Sequence, residues 1–265
     1  MNGDYALQIQ AASKVFYNGG KAIPALAPLD LEIARGEFVC LLGTSGCGKS
    51  TLLNLIAGLD DPSSGSIYVN GAPLKGPGPD RVMMFQEAAL FPWLTVQENV
   101  EFGLRQQNVA PQKCSEIAKL WLERVNLQGF EKAYAHQLSG GMRQRVALAR
   151  SLTIDPAILL MDEPFGALDA MTRDRLHIEL ENLWLSTGKT ILFVTHNVRE
   201  AVALGDRVLV FSPRPGRVIA DYKINLPRPR SLEDLVVINK TAEIMQTLRQ
   251  AIASSSVSQE LEWQL

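Results

Sequence analysis

The sequence predicts an α/β fold built on a mainly parallel β-sheet, and three features of the chain support this. Residues Phe38–Leu42 are uniformly apolar, which is typical of a strand buried on both faces. This segment runs directly into a glycine-rich loop, and a helical pattern follows the loop. From residue 157 onward, short apolar segments alternate with helical patterns, an order that favours parallel strands covered by helices.

Strand signals dominate the first third of the chain. Short segments that are apolar or alternating, and that are bounded by Gly, Pro or Asn, predict strands at residues 7–11, 29–33, 38–42 and 66–69. A helix is predicted over residues 50–57, where Gly58 ends it.

The middle of the chain, from residue 87 to residue 152, is predicted to be mainly helical. Apolar residues recur at helical spacing between Ile117 and Val125, and another helix is predicted over residues 142–152. In the remaining part, strands are predicted at residues 82–85, 157–161, 190–194 and 207–211, and helices at residues 170–185, 198–204 and 232–252.

The composition indicates a globular, cytosolic protein. Apolar residues make up 46% of the 265 residues and charged residues 20%, which is ordinary for a globular domain. The formal net charge of −2 provides no basic field, so nucleic acid is not expected as a partner. No apolar run reaches the roughly 20 residues needed to span a bilayer, and the first five residues lack the basic flank and apolar core of a signal peptide. Three cysteines without metal-ligand spacing indicate a reduced compartment.

A phosphate-binding motif follows the first buried strand. The stretch from Gly43 to Ser50 fits G-x-x-x-x-G-K-[ST] at every fixed position, which predicts a nucleotide triphosphate site. Glycine N–H groups can surround the phosphates, and the following helix adds its positive N-terminal end. The residues expected to bind the nucleotide here are Gly43, Thr44, Ser45, Gly46, Cys47, Gly48, Lys49, Ser50 and Thr51.

Three side chains of this motif have individual expected roles. Lys49 is expected to contact the β- and γ-phosphates, Ser50 to bind Mg²⁺ through its hydroxyl, and Thr51 to donate to the α-phosphate. The alternative is a glycine turn between a strand and a helix, with a lysine at the surface.

Two adjacent carboxylates end a later apolar strand, in the sequence I-L-L-M-D-E-P. Asp162 comes where a carboxylate at a sheet edge can hold Mg²⁺ through water, and Glu163 suits a general base that orients the attacking water. The alternative is an acidic pair that caps a helix ahead of Pro164.

One of the three histidines comes directly after a predicted strand. His196 is therefore expected at a sheet edge and is a candidate functional residue. His136 and His177 have no such context and are expected to be structural.

The sequence L-S-G-G-M-R-Q, which begins at Leu138, predicts a second anion site. The hydroxyl of Ser139 and the N–H groups of Gly140 and Gly141 would come together at a helix start. A second anion site is redundant within one molecule that already has a phosphate loop.

The chain resembles the ATP-binding-cassette (ABC) ATPases over about residues 5–225. The resemblance is carried by five motifs in a fixed order: the phosphate loop, L-S-G-G at residues 138–141, the D-E pair at 162–163, A-L-D at 167–169 and T-H at 195–196. The resemblance implies a P-loop NTPase core with a mainly parallel sheet, an N-terminal antiparallel β subdomain and an inserted α-helical subdomain. The domains that it implies are an ABC ATPase domain at residues 1–225 (core 1–86 and 157–225, helical subdomain 87–156) and a C-terminal helical tail at residues 226–265.

The resemblance also explains the second anion site. In the family, this segment of one subunit closes on the γ-phosphate held by the other, so that a homodimer shares two ATP sites. Asp169 would lie at the same dimer seam. Met142 departs from the family, whose commonest residue there is Gln, but the anion contacts come from Ser139 and the glycines.

Three further residues receive roles from the resemblance. His196 would contact the γ-phosphate, Gln86 would reach Mg²⁺ and the attacking water, and Phe16 would stack on adenine. Tyr17 is the other aromatic candidate for the adenine, and either ring could instead belong to the core.

Within the family, the segment E-P-F-G-A-L-D at residues 163–169 looks like that of importers. Four further segments look like those of the nitrate, sulfonate and taurine group: Q-E-A-A-L at 86–90, P-W-L at 92–94, S-P-R-P-G-R at 212–217 and L-P-R-P-R at 226–230. The implied cofactors are ATP and Mg²⁺. The implied partners are a second copy or a close paralogue, polytopic membrane permease subunits and, indirectly, a periplasmic or surface solute-binding protein. The implied location is the cytoplasmic face of the plasma (inner) membrane, as a peripheral subunit. Phe91 and Trp93 suit either the core of the helical subdomain or a groove for the membrane partner.

Two other functions share part of this pattern. A soluble ABC-type ATPase that acts on nucleic acid would need a coiled-coil or zinc insertion before L-S-G-G, and the segment between the two motifs is short. A P-loop kinase would not need Ser139, Gly140 and Gly141 at all.

Overall fold

The computed structural model describes the backbone of residues 5–262 and the side chains of residues 5–253. In chain order, the first elements are β1 (Tyr5–Asn18), β2 (Lys21–Ala34), β3 (Phe38–Leu42), α1 (Lys49–Ala57), β4 (Ser64–Val69), β5 (Ala72–Pro73), β6 (Arg81–Met84), α2 (Val96–Gln106) and α3 (Pro111–Arg124). They are followed by a 3₁₀ turn (Ala135–Gln137), α4 (Gly140–Thr153), β7 (Ile158–Asp162), α5 (Ala170–Thr187), β8 (Thr190–Thr195), α6 (Val198–Leu204), β9 (Arg207–Phe211), β10 (Val218–Lys223) and α7 (Leu235–Glu262).

The chain divides into two compact units. The first comprises the residues up to Pro77 together with those from Gly188 onward, and the second comprises Gly78–Thr187. None of the helices in the described part of the chain has both the length and the apolar character that crossing a membrane requires.

A long antiparallel hairpin forms one side of the first unit. Strands β1 and β2 pair along their length, and β4 and β5 extend the sheet in the order β2-β1-β4-β5. Gly19 (φ 56°) and Gly20 (φ 81°) form the two-residue turn, because left-handed geometry at both positions matches the twist of the strands. The predicted strands 7–11 and 29–33 are parts of these longer strands.

The strand of the phosphate motif lies at the centre of the other sheet of the first unit. Strand β3 is fully buried and pairs in parallel with β8 on one side and β9 on the other, while β10 pairs antiparallel with β9. In this register Leu42 is the partner of both Thr195 and Val210, so the three strands end together at one edge.

Helices and a parallel strand pair form the second unit. Strands β6 and β7 pair in parallel, with Met84 opposite Met161, and α2, α3 and α4 pack on one another. Helix α2 begins at a capping box, in which the Thr95 side chain accepts from Glu98 N and the Glu98 carboxylate accepts from Thr95 N at 2.8 Å.

The final helix packs against α6, and a buried arginine fastens the segment before it. The Arg230 guanidinium donates to the carbonyls of Val202, Gly205, Ile224 and Leu226 at 2.6–3.2 Å. Helix α7 starts three residues later than the predicted helix 232–252 and is longer than predicted. Residues 263–265 of the expected C-terminal tail lie outside the described residues.

Candidate functional site

The phosphate motif forms a tight loop between β3 and α1, as the sequence predicts. Helix α1 has Gly48 at its N-cap, with φ 100° and no side-chain cap, and the positive N-terminal end of such a helix favours an anion. A Cβ at Gly48 would lie 2.7 Å from the carbonyl oxygen of Ala25, which requires glycine at this position independently of its φ angle.

The lysine of the motif is buried inside the loop. Its Nζ donates to the carbonyls of Gly43 and Thr44 at 2.9 Å each and lies 3.5 Å from Cys47 Sγ. The alternative of a turn with a surface lysine is therefore wrong. A buried cation held by loop carbonyls beside a helix N-terminus is an arrangement that fits a phosphate group.

Strand β2 and the loop between β9 and β10 support the phosphate loop. Gly216 N donates to the Ala25 carbonyl, and Ala27 N donates to the Gly216 carbonyl, both at 2.9 Å. A Cβ at Gly216 would overlap the carbonyl oxygen of Cys47. The loop is thus fixed by backbone packing that the motif alone does not reveal.

The strand register brings His196 to the same sheet edge as the phosphate loop. Because Leu42 and Thr195 are partners in adjacent parallel strands, Gly43 and His196 both emerge at their carboxyl ends. The exposed His196 lies in the turn before α6, where the Thr195 hydroxyl donates to the buried Glu200 carboxylate and accepts from Asn197 N at 2.9 Å.

Both candidate adenine-stacking residues lie on β1 and are exposed. Phe16 is 40% exposed and Tyr17 75%, so the alternative that either ring belongs to the core is wrong. The Lys14 ammonium lies 5.1 Å from the centroid of the Phe16 ring. Lys14 is the strand partner of Leu26, and the Leu26 side chain lies against Gly48 of the phosphate loop. Phe16 lies on β1 two residues after Lys14, which is the level of the hairpin that faces this loop.

In the second unit, the register of β6 and β7 places Gln86 close to the carboxylate pair, Asp162 and Glu163. Met84 and Met161 are partners in parallel strands, so Gln86 and Asp162 follow at one edge. The position of a Cβ at Gly166 would lie 3.5 Å from Gln86 Nε2 and 3.7 Å from Glu163 Oε2. Glu163 has φ 45°, a conformation that costs energy for a non-glycine residue and is frequent at functional sites.

The helix-capping interpretation of the acidic pair is wrong. Helix α5 begins only at Ala170, and Asp169 is the residue whose carboxylate accepts from Thr172 N at 2.9 Å. Hydrogen bonds from the backbone and then the side chain of Thr172 lower the pKa of the Asp169 carboxyl.

The second predicted anion site is the N-terminus of α4. Ser139 is the N-cap, and its Oγ accepts from Met142 N at 3.3 Å. A Cβ at Gly141 would overlap Thr172 Cγ2, so the close approach of α4 to α5 requires glycine. Gly140 lies beside Leu168.

A cavity of about 530 Å³ opens at this helix start, lined in part by Ser139, Gly141, Asp169, Arg145 and Arg175. Two arginines beside a helix N-terminus favour an anion there. Arg145 also pairs with Glu179 at 3.0 Å, and burial raises the pKa of the Glu179 carboxyl.

Of the two aromatic residues around Pro92, one is packed as a core residue would be and the other is exposed as a partner contact would be. Phe91 is half-buried and packs on Phe102, with ring centroids 4.4 Å apart, whereas Trp93 is 71% exposed. Trp93 is therefore not a core residue, and its ring is available to a partner.

The two remaining histidines lie in structural surroundings, as the sequence predicts. His177 is buried against Phe165, with ring centroids 5.5 Å apart, and His136 stacks on Tyr134 at 5.9 Å.

Among the described residues, no group of three or more His, Cys, Asp or Glu side chains is placed to hold a metal ion. Magnesium that is bound mainly through nucleotide oxygens needs no such group, and the hydroxyl, amide and carboxylate oxygens of Ser50, Gln86 and Asp162 are of the type that it prefers.

These features define a P-loop nucleoside triphosphatase, and the comparisons narrow the class. The family model described as ABC transporter matches residues 26–166. The nitrate import ATP-binding protein NrtD of Synechocystis is 50% identical over 221 residues, covering 83% of each chain. The taurine import ATP-binding protein TauB of Pelagibacter ubique is 48% identical over 228 residues, covering 86% of each chain.

A solved structure shows the same fold. The dimeric ATP-binding cassette MJ0796, in a post-hydrolysis state bound to ADP and Pi, is 33% identical, with a TM-score of 0.74 over 83% of this chain and 100% of that chain. The protein therefore belongs to the ABC transporter family, as an ATP-binding subunit that hydrolyses ATP. The predicted fold class and family are both confirmed.

Proposed function

We propose that this chain is the ATPase subunit of an importer for a small anion of the nitrate, sulfonate or taurine type. Its similarity to NrtD and TauB along more than four fifths of its length carries the transport assignment. The buried Lys49 within a preformed phosphate loop carries the ATP-binding part. The ATPase domain would extend over residues 1–225, with the helical subdomain at 87–156 and the tail at 226–265.

Nucleotide binding is assigned to the phosphate loop and Phe16. Lys49 would exchange its bonds to the Gly43 and Thr44 carbonyls for the β- and γ-phosphate oxygens, since a charge-assisted bond to phosphate is the stronger one. Gly46, Gly48 and Thr51 would donate to the phosphates, and Phe16 would stack on adenine at the exposed face of its ring.

Hydrolysis is assigned to residues that follow the strands of both units. Glu163 would accept a proton from the attacking water, and Gln86 and His196 would fix the position of that water and of the γ-phosphate. Ser50, Gln86 and Asp162 would hold Mg²⁺, which neutralises the charge that develops on the phosphate oxygens when it is bound.

Two copies of the chain would share two sites. Ser139, Gly140 and Gly141 would contact the γ-phosphate on the partner, and Asp169 would lie at the seam. The cationic cavity of about 530 Å³ at the start of α4 supports this assignment, because a chain that already has a phosphate loop does not need a second anion site for its own nucleotide.

Outside the ATPase subunit, the partners would be two polytopic permease subunits and, through them, a periplasmic or surface solute-binding protein. The exposed Trp93 beside the Gln86 loop is a contact candidate for the permease. The chain would accordingly lie at the cytoplasmic face of the plasma (inner) membrane.

The test is reconstitution with its neighbouring permease and binding proteins in vesicles. ATP hydrolysis should rise when nitrate, an alkanesulfonate or taurine is added with the binding protein, and the chain should co-purify with the permease. Retention on DNA with no permease association would instead favour the nucleic-acid ATPase.

A further inference from the structure

The loop that carries Gln86 is held by two side chains of helix α4. Gln144 Nε2 donates to the Gln86 carbonyl at 2.8 Å. The Arg150 guanidinium donates through Nη1 to the Ala89 carbonyl and through Nη2 to the Ala88 carbonyl, at 2.9 Å each. Three carbonyls of one short loop are thus bound by one helix.

The two side chains contact the loop from different levels of the helix. Gln144 and Arg150 are six residues apart, which is ~9 Å along a helix. The contacts on the loop are at Gln86 and at Ala88 and Ala89, so they hold both the first residue of the loop and the residues that follow it.

Burial and backbone geometry show that these contacts are specific. Gln144 is 5% exposed, and its Oε1 is buried without a hydrogen-bond partner among the described residues, so this side chain is placed here for its donor. Arg150 also lies over the Phe91 ring, 5.6 Å from the centroid. Ala89 has φ 43°, a conformation that persists only where surrounding contacts determine it.

The same helix begins at Ser139, so one rigid element joins the Gln86 loop to the predicted anion site. A cavity of about 440 Å³ is lined by Gln86, Ala88, Gly140 and Gln144, which places the loop and the helix start around one space. A force on the loop is therefore transmitted to the helix through three hydrogen bonds from α4 side chains to loop carbonyls.

We propose that Gln144 and Arg150 are positioning residues that hold the Gln86 amide for hydrolysis and tie its loop to the helix that begins at Ser139. This inference rests on the proposed ATPase function. Neither side chain contacts the reacting atoms, and both act through the backbone of residues 86–89.

The first test measures the loop itself. Gln144→Glu keeps the side-chain shape but replaces the donor with a carboxylate that repels the Gln86 carbonyl, and Arg150→Lys keeps the charge but cannot bind two carbonyls in a fork. Both variants should accelerate backbone hydrogen exchange in residues 86–91, followed by mass spectrometry, by about tenfold or more. Matched controls are Gln106→Glu and Arg124→Lys, at exposed helical positions away from the loop. Exchange equal to the controls in both variants would overturn the proposal, whatever the chain hydrolyses.

The second test separates positioning from general stability. Both variants should lower kcat by about tenfold or more, as expected for a lost charge-assisted or buried hydrogen bond, and leave the Kd for MgATP unchanged. In a Gln86→Ala chain the same changes should have little further effect on kcat, because the group that they position is gone. The proposal is wrong if kcat falls equally in both backgrounds, or if Kd rises in parallel with the fall in kcat. Absence of hydrolysis in the parent chain would count against the proposed function. The hydrogen-exchange measurement would still decide whether Gln144 and Arg150 hold the loop of residues 86–89.

Discussion

The packing of Gly216 against the phosphate loop gives the most specific prediction of the structure. A Cβ at this position would overlap the Cys47 carbonyl oxygen and lie 3.1 Å from Leu26 Cδ2. The Gly216 backbone is held on both sides by hydrogen bonds of 2.9 Å to β2. In Gly216→Ala, the clash is with backbone, so the phosphate loop itself must move.

The magnitude follows from two effects. Overpacking typically costs about 1–3 kcal/mol, and a protein of this size loses about 2–4 °C per kcal/mol, so the melting temperature should fall by about 2–12 °C. Turning one loop N–H away from a charged phosphate costs about 1.5–3 kcal/mol, so the Kd for MgATP should rise by about tenfold to a hundredfold.

The assay is calorimetric titration with MgATP, together with thermal unfolding. Gly71→Ala is the control, because Gly71 has φ 79° with open space around its Cβ position and lies in the turn between β4 and β5. It should lose stability through backbone strain and keep the parent affinity. An unchanged Kd in Gly216→Ala, or an equal loss of affinity in both variants, would refute the role of Gly216 as a support of the loop.

Three further changes test separate parts of the site. Glu163→Gln should bind MgATP with the parent Kd but release phosphate about 10²- to 10⁴-fold more slowly, because only the proton acceptor is lost; near-normal turnover would exclude Glu163 as the base. Lys49→Ala should raise the Kd for MgATP by about tenfold to a hundredfold, through loss of charge-assisted bonds to phosphate; an unchanged calorimetric Kd would contradict the phosphate-loop assignment. Thr95→Ala should lower the free energy of unfolding by about 1 kcal/mol at pH 7, measured by denaturant titration. Hydrogen bonds from the backbone and then from the side chain of Thr95 lower the pKa of Glu98. The part of the difference that comes from the Thr95 hydroxyl's bond to the Glu98 carboxylate is therefore present above the ordinary Glu pKa and is lost as the pH falls through the lowered one. The part that comes from the N-cap bond to Glu98 N remains in acid, so a difference that does not shrink at all as the pH falls would contradict the prediction.

The sequence predicts the centre of the first unit well for physical reasons. A strand buried on both faces must be a continuous apolar run, and Phe38–Leu42 is one. The glycines after it mark a turn that few side chains tolerate, as Gly48 shows with φ 100°.

Other elements are less visible in the sequence. Strand β2 contains Pro24 and Pro28, which weaken a strand prediction, but β2 is an edge strand and edge strands tolerate proline. Helix α2 carries a capping box in T-V-Q-E that could have located its start at Thr95. The contact of Arg150 with Ala88 joins residues 62 positions apart, and no local pattern indicates it.

The residues of the candidate site also fall into those that the sequence predicts and those that only the fold reveals. Motif spacing predicts Lys49, Asp162 and Glu163, because their chemistry depends on a strand end and a loop. The supports of the site, Gly216 and Gln144, act by backbone packing and by one hydrogen bond, so they become evident only when the fold is known.

The central claim is that two copies of the chain share each ATP site, and a complementation measurement tests it most directly. A Ser139→Arg chain should bind MgATP at its own Lys49 but fail to hydrolyse it, because bulk at the start of α4 blocks the partner's γ-phosphate. A Lys49→Ala chain should also be inactive. In a mixed dimer, one site carries both changes and the other is built from unaltered residues, so an equimolar mixture should recover about a quarter of the parent ATPase rate, if the sites act independently. No recovery in the mixture, together with loss of MgATP binding in the Ser139→Arg monomer, would contradict the shared site.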